Sequence, residues 1–201
     1  MNIVCLDLEG VLVPEIWIEF SKITGLEELK VTTREISDYH KLMDFRIKVL
    51  KKHGYKLKDI QNVISTIKPL EGAQDFLSAL RERTQVIILS DTFNEFALPL
   101  MKQLSYPTIF CNTLKVDDED NITGISMRQE NGKYHSVMAL KAMGFKVFSA
   151  GDSYNDLEMI HASDAGVLFR APEKIINQEK KLKAVEDYEV FKQEIFKFLG
   201  I

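Results

Sequence analysis

The sequence predicts an α/β fold: a doubly wound parallel sheet with helices on both faces, a small helical insertion after the first strand, and one β-hairpin. Three observations carry this. Short apolar runs recur along the chain and each ends at polar or glycine-containing turns, as strands buried on both faces do. Segments of helical periodicity separate most of these runs. One long stretch between the first two runs has helical spacing and no strand-like run at all.

The first run is Ile3 to Leu6, followed by Asp7. From Pro14 to Lys68 the apolar positions keep helical spacing, which predicts an inserted helical unit at 14–68 and a core made of 1–13 and 69–201. An insertion of that length beside a strand end is a candidate lid. A helix is expected over Gly72 to Arg83, a strand over Gln85 to Leu89 before Ser90, a helix over Glu95 to Leu104, and a strand over Thr108 to Cys111. Between Leu114 and Met127, Val116 and Ile122 to Ile125 flank a polar run from Asp117 to Asn121, the pattern of a hairpin. Such a hairpin either stands in solvent or pairs with a second subunit to give a homodimer. A helix over Ser136 to Met143, strands over Lys146 to Ala150 and Gly166 to Phe169, and a helix over Asp187 to Phe198 complete the alternation.

Bulk properties narrow the function. Of 201 residues, 26 are basic and 30 acidic, and the two signs are mixed, so no basic stripe favours nucleic acid or an anionic membrane. No apolar run reaches the roughly 18 residues of a spanning helix, and the first residues lack the basic flank of a signal peptide, which predicts a cytoplasmic protein. Cys5 and Cys111 match no zinc spacing and read as buried, reduced thiols. A small polar ligand fits this composition best.

In open α/β sheets ligands collect at the carboxyl ends of the strands. Here those ends carry Asp7 and Glu9, then Ser90, Asp91 and Thr92, then Gly151, Asp152, Ser153, Asn155 and Asp156. Carboxylates converging there repel one another unless a hard divalent cation neutralises them, and magnesium is the candidate. An open magnesium site suits phosphoryl transfer, with Asp7 attacking phosphorus and Lys133 and the Ser90 hydroxyl holding the phosphate. Taken singly, Asp91 reads as a turn or cap residue, and Lys133, after Asn131 and Gly132, as a solvated loop lysine. Arg46 lies three or four positions from Leu42, Met43, Val49 and Leu50, within an apolar helical stripe, where an arginine commonly snorkels to water.

The ordered set Asp7-Leu8-Glu9-Gly10-Val11, Ser90-Asp91-Thr92, Lys133 and Gly151-Asp152-Ser153-Tyr154-Asn155-Asp156 resembles the four motifs of the haloacid dehalogenase superfamily. The resemblance implies a Rossmann-like core, Asp7 as nucleophile, Ser90 and Lys133 as phosphate binders, and magnesium on Asp7, Asp152 and the Glu9 carbonyl. The helical insertion is similar to that of phosphoserine phosphatases, which implies that Glu15 receives the substrate ammonium and Arg46 clamps its carboxylate. It also places Asn155 and the floor residue Asp91 against substrate, Met43 as an apolar wall, and Asp156 behind the metal site holding Lys133 or the metal water. Two departures stand out: Glu9 replaces the usual aspartate acid and base, and Ser-Asp-Thr replaces Ser-Gly-Gly. Both look like the subgroup described as bifunctional phosphoserine phosphatase and phosphoserine:homoserine phosphotransferase. That implies O-phospho-L-serine as donor and water or homoserine as acceptor. The rival readings are a phosphatase of another small ester, a non-catalytic phospho-accepting domain, and a catalytically dead binding module marked by Glu9.

Overall fold

A computed structural model describes residues 1–32, 35–36 and 38–201; Thr33, Arg34 and Ser37, within the predicted insertion, lie outside the described residues. The first strand, β1 (Asn2–Leu6), alternates its side chains between two cores: Val4 and Leu6 on one face, Ile3 and Cys5 on the other. That two-sided burial is why the run is apolar throughout.

Seven strands form one sheet in the order β4-β3-β2-β1-β5-β6-β7. They are β2 (Gln85–Phe93), β3 (Thr108–Val116), β4 (Ile122–Ser126), β5 (Lys146–Gly151), β6 (Ala165–Phe169) and β7 (Lys183–Val185). All neighbours are parallel except β3 and β4, which form the hairpin. The chain winds outward from β1 through β2 and β3, then returns to β5 on the other side of β1. The carboxyl ends of β1 and β5 therefore flank the switch point where such sheets bind ligands.

The segment before β2 is helical, as its spacing predicts: α1 (Ile16–Thr24), a 3-10 turn at Glu27–Lys30, α2 (Tyr39–Lys52) and α3 (Leu57–Thr66). Phe20, Met43, Ile60 and Ile64 bury into the same apolar cluster as Phe93 and Phe96 of the core. The other described helices are α4 (Ala73–Arg81), α5 (Asn94–Gln103), α6 (Gly132–Ala142), α7 (Leu157–Ala162), α8 (Glu173–Gln178) and α9 (Tyr188–Leu199). Helices α4 and α9 pack on the Val4 face around Phe76 and Phe191, whereas α6, α7 and α8 cover the Cys5 face.

Several boundaries differ from expectation. The helix expected from Ser136 begins at Gly132, so Lys133 lies in its first turn and not in a loop. β2 runs on through Ser90-Asp91-Thr92, with a break in its pairing to β3 between Leu89 and Phe93. Cys5 is buried but Cys111 only partly so, and both thiols are free. The hairpin is not freely solvated: Leu57 and Lys58 at the start of α3 donate main-chain N–H bonds to the carbonyl and side chain of Asp120, at 2.9 Å each. The acidic turn thereby caps a helix whose first N–H groups have no partner of their own. Among the described residues no helix is long and apolar enough to cross a membrane.

Candidate active site

Asp7 follows β1 directly, and its N–H still reaches the Ala150 carbonyl of β5 at 3.0 Å. Beyond it the chain turns sharply, with the Leu12 and Val13 N–H groups both bonded to the Leu8 carbonyl and Gly10 N–H bonded to Val13. Gly10 takes φ 75°. A Cβ there would lie 2.5 Å from the Asp152 carboxyl carbon, so only glycine lets this turn pass beneath that carboxylate. Glu9 points back to the start of α1, where its Oε2 accepts the Ile16 N–H at 2.8 Å. That donor is one of the unpaired N–H groups of a helix N-terminus.

On the other side of the switch point, β5 delivers Asp152, and the 3-10 turn Tyr154–Asp156 carries Asp156 back beneath it. Asp156 Oδ2 accepts from the N–H groups of Asp152 and Ser153 and from the Ser153 hydroxyl, at 3.0 to 3.1 Å, while Oδ1 accepts from Lys133 Nζ at 2.7 Å. Both oxygens of Asp156 are thus engaged. Lys133, 4% exposed, also lies 3.0 Å from Asp7 Oδ1 and 3.6 Å from Asp91 Oδ2. Its burial removes the solvated-loop reading.

Asp7, Asp152 and Asp156 bring carboxylate oxygens within 4.8 Å of one another. Burial, then the Asp156 charge, raise Asp7 well above the ordinary carboxylate range, against the pull of Lys133. Burial, Asp156 and Glu15 push Asp152 up to about 7. Burial opposes the charge on Lys133, but Asp156, Asp7 and Asp91 together hold its ammonium above the usual lysine range. One ammonium shared among so many carboxylates leaves a surplus of negative charge. With Asp156 committed elsewhere, Asp7 and Asp152 offer the hard oxygen donors that a small divalent cation takes, so these residues fit magnesium.

The expected substrate residues fall into two groups. Ser90 and Asp91 sit where the β2–β3 ladder breaks; the buried Ser90 hydroxyl accepts the Thr92 N–H at 3.2 Å. Asn155 donates to Asp91 Oδ2 at 2.7 Å, so these two meet at the site's rim. The second group centres on Arg46, whose guanidinium lies 4.6 Å from the Trp17 ring centroid and donates to the Val31 carbonyl at 3.0 Å. At 6% exposure Arg46 does not snorkel, and its buried Nε has no hydrogen-bond partner among the described residues. Burial lowers its pKa, offset by Tyr39, Glu9 and Glu15. Glu15 is exposed and forms no ion pair among the described residues. Glu9 is pushed up to about 8 by burial and by Glu15, and lowered in turn by the Ile16 N–H, Arg46 and Lys133. It lies electrostatically between the Arg46 group and the Lys133 group.

Sequence reasoning did not single out three residues the structure adds. Trp17 carries Arg46; Asn112 donates from Nδ2 to the Asp91 carbonyl at 3.1 Å; and the Tyr39 hydroxyl donates to that same carbonyl at 3.0 Å. Tyr39 stands seven positions before Arg46, two helical turns on the same face, which is the signal that marks it.

Comparison with known proteins gives the family and the likeness of fold. A family model for haloacid dehalogenase-like hydrolases matches residues 1–164. Phosphoserine phosphatase ThrH of Pseudomonas aeruginosa is 54% identical over 197 residues, covering 98% of this chain and 96% of that protein. A phosphoserine phosphatase of Pseudomonas syringae pv. tomato is 51% identical over 197 residues, covering 98% of this chain and 83% of that one. A crystal structure of phosphoserine phosphatase in apo form superposes with a TM-score of 0.77, covering 98% of each chain at 23% identity, which is a likeness of fold.

Proposed function

This chain belongs to the haloacid dehalogenase-like hydrolases, and from that premise we propose that it is a magnesium-dependent phosphoserine phosphatase that works through a phosphoryl group on Asp7. The observation that carries the proposal is Lys133: a buried ammonium 3.0 Å from Asp7 and 2.7 Å from Asp156, which supplies positive charge beside a carboxylate at the switch point. The two Pseudomonas relatives, named as phosphoserine phosphatases, support the choice of substrate.

In the first half-reaction Asp7 attacks phosphorus and the serine oxygen leaves. Glu9 protonates that oxygen; a carboxyl whose pKa is pushed up to about 8 holds its proton at neutral pH. In the second half, the Glu9 carboxylate takes a proton from the acceptor as the acceptor oxygen attacks the Asp7 acyl phosphate and Asp7 is released. Lys133 and the Ser90 hydroxyl bind phosphate oxygens, and Asp156 holds Lys133 in place. Asp7, Asp152 and the Glu9 main-chain carbonyl would hold magnesium, which when bound supplies charge neutralisation for the phosphate.

The amino-acid end is assigned to Glu15 for the ammonium and to Arg46 for the carboxylate, a pairing to which a planar guanidinium is suited. A buried guanidinium whose Nε has no partner among the described residues supports an anionic ligand there. Asp91 and Asn155 meet substrate at the rim. The helical segment 14–68 acts as the cap domain over the core of 1–13 and 69–201. Homoserine carries the same ammonium and carboxylate as serine, so it enters as an alternative acceptor to water.

The test is phosphorus NMR of a magnesium-containing reaction with O-phospho-L-serine, with and without homoserine. Free phosphate supports the phosphatase, and phosphohomoserine adds the transferase. Absence of both products in both tubes removes phosphoserine as the donor.

A further inference from the structure

We infer that the Tyr39 hydroxyl is a positioning residue: it fastens α2 to the end of β2 and so sets Arg46 at the amino-acid end of the substrate. The inference rests on the phosphoserine reading above. Tyr39, Met43 and Arg46 stand at i, i+4 and i+7, one face of α2, so a shift of the helix at Tyr39 is carried two turns along to Arg46. The Tyr39 hydroxyl donates to the Asp91 main-chain carbonyl across 52 residues at 3.0 Å. Among the described residues, every other side-chain hydrogen bond or ion pair of α2 stays inside the insertion: Arg46 with Met43 and Val31, Lys41 with Asp38, and Lys52 with Glu28. Tyr39 thus provides the hydrogen bond that ties this helix to the sheet.

The acceptor is itself held still. The Asp91 carbonyl also takes the Asn112 Nδ2 at 3.1 Å, and Asn112 Oδ1 takes the Arg128 N–H at 3.0 Å, so a side chain fixed to the main chain pins the oxygen that Tyr39 reaches. Asp91 neighbours the phosphate-binding side chains, since its carboxylate lies 3.6 Å from Lys133 Nζ. One residue therefore joins the phosphate end of the site to the helix that carries Arg46. The Tyr39 ring packs on the core cluster independently of its hydroxyl. Removing the oxygen leaves that packing intact and leaves the Asp91 carbonyl bonded to Asn112.

The test compares the wild-type protein with Tyr39→Phe on O-phospho-L-serine and on acetyl phosphate, which lacks both the ammonium and the carboxylate, with magnesium present. Loss of one hydrogen bond of ordinary strength predicts a rise of about 3- to 10-fold in KM for phosphoserine. The kcat stays within about twofold, and both constants for acetyl phosphate are unchanged. KM does not depend on the fraction of protein folded, so a less stable variant leaves the comparison valid. An unchanged KM for phosphoserine, or an equal rise for both substrates, overturns the assignment. A wild-type protein that turns over acetyl phosphate but not phosphoserine instead sinks the functional reading, and is told apart because it fails before any substitution is made.

Discussion

Gly10→Ala isolates the geometry of the Asp152 carboxylate, because the chain contains its own control. Gly10 and Gly25 have nearly the same positive φ, 75° and 74°. An alanine at either position bears the left-handed penalty, about 1–2 kcal/mol, which in a chain of this size lowers Tm by roughly 2–8 °C. They differ in surroundings. A Cβ at Gly25 meets nothing within 4 Å, whereas one at Gly10 lies 2.5 Å from Asp152 Cγ and Oδ2 and 2.7 Å from Oδ1. To reach ordinary contact the carboxylate has to retreat by roughly 1 Å, and a misplacement of that size in a catalytic group costs on the order of 10²-fold in rate. The assay is phosphoserine turnover against magnesium concentration, beside thermal melts of both variants. Both should melt low, but Gly25→Ala should keep near-normal turnover per folded molecule, while Gly10→Ala loses about 10²-fold and needs more magnesium. Turnover of Gly10→Ala within threefold of Gly25→Ala at equal magnesium would refute the reasoning.

Further predictions follow from the charges. Arg46→Ala removes charge-assisted hydrogen bonds worth roughly 1.5–3 kcal/mol each, so kcat/KM for phosphoserine should fall about 10²-fold while acetyl phosphate is largely spared; equal losses on both would undo the clamp. In the metal-free protein Asp152 titrates at about 7 against an ordinary 3.8. A carboxyl raised in the folded state contributes stability that is full below about pH 4 and is lost as pH rises through about 7. At most about 4 kcal/mol is at stake for this group. Melts without metal should therefore decline between about pH 4 and pH 7 and level off above it, and the Tm gain on adding magnesium should grow over the same range. A magnesium effect that shrinks as pH rises would contradict the site.

Much of the core was legible in the sequence because buried parallel strands write themselves as apolar runs with polar residues at their ends. Asp7 after Leu6 and Asp152 after Gly151 fall where that pattern puts them. The helical spacing of the insertion was equally plain. What escaped depends on contacts between distant parts of the chain. β7 has three residues, of which only Val185 is buried, too short to form a run. Lys133 read as a loop residue because Asn131-Gly132 is a turn dipeptide, yet Asn131 at φ 49° starts a helix there. The acidic turn at 117–121 gave no hint that Asp120 would cap α3, since its partners Lys58 and Leu57 lie 62 and 63 residues away in the chain. Arg46 stood out within its apolar stripe, but its depth depends on Trp17, which covers it from another helix. Tyr39 shares a helix face with Arg46, two turns on, but its use, like that of Asp120, shows only in its partner.

The most direct test of the account is to look for the covalent phosphoryl group. The protein is mixed rapidly with radiolabelled O-phospho-L-serine and magnesium, quenched in acid, digested and mapped, beside Asp7→Asn treated in the same way. The account predicts a label on the Asp7 peptide that hydroxylamine removes, and neither label nor turnover in the folded Asp7→Asn variant. Steady release of phosphate with no labelled protein, or near-normal turnover by Asp7→Asn, would contradict it.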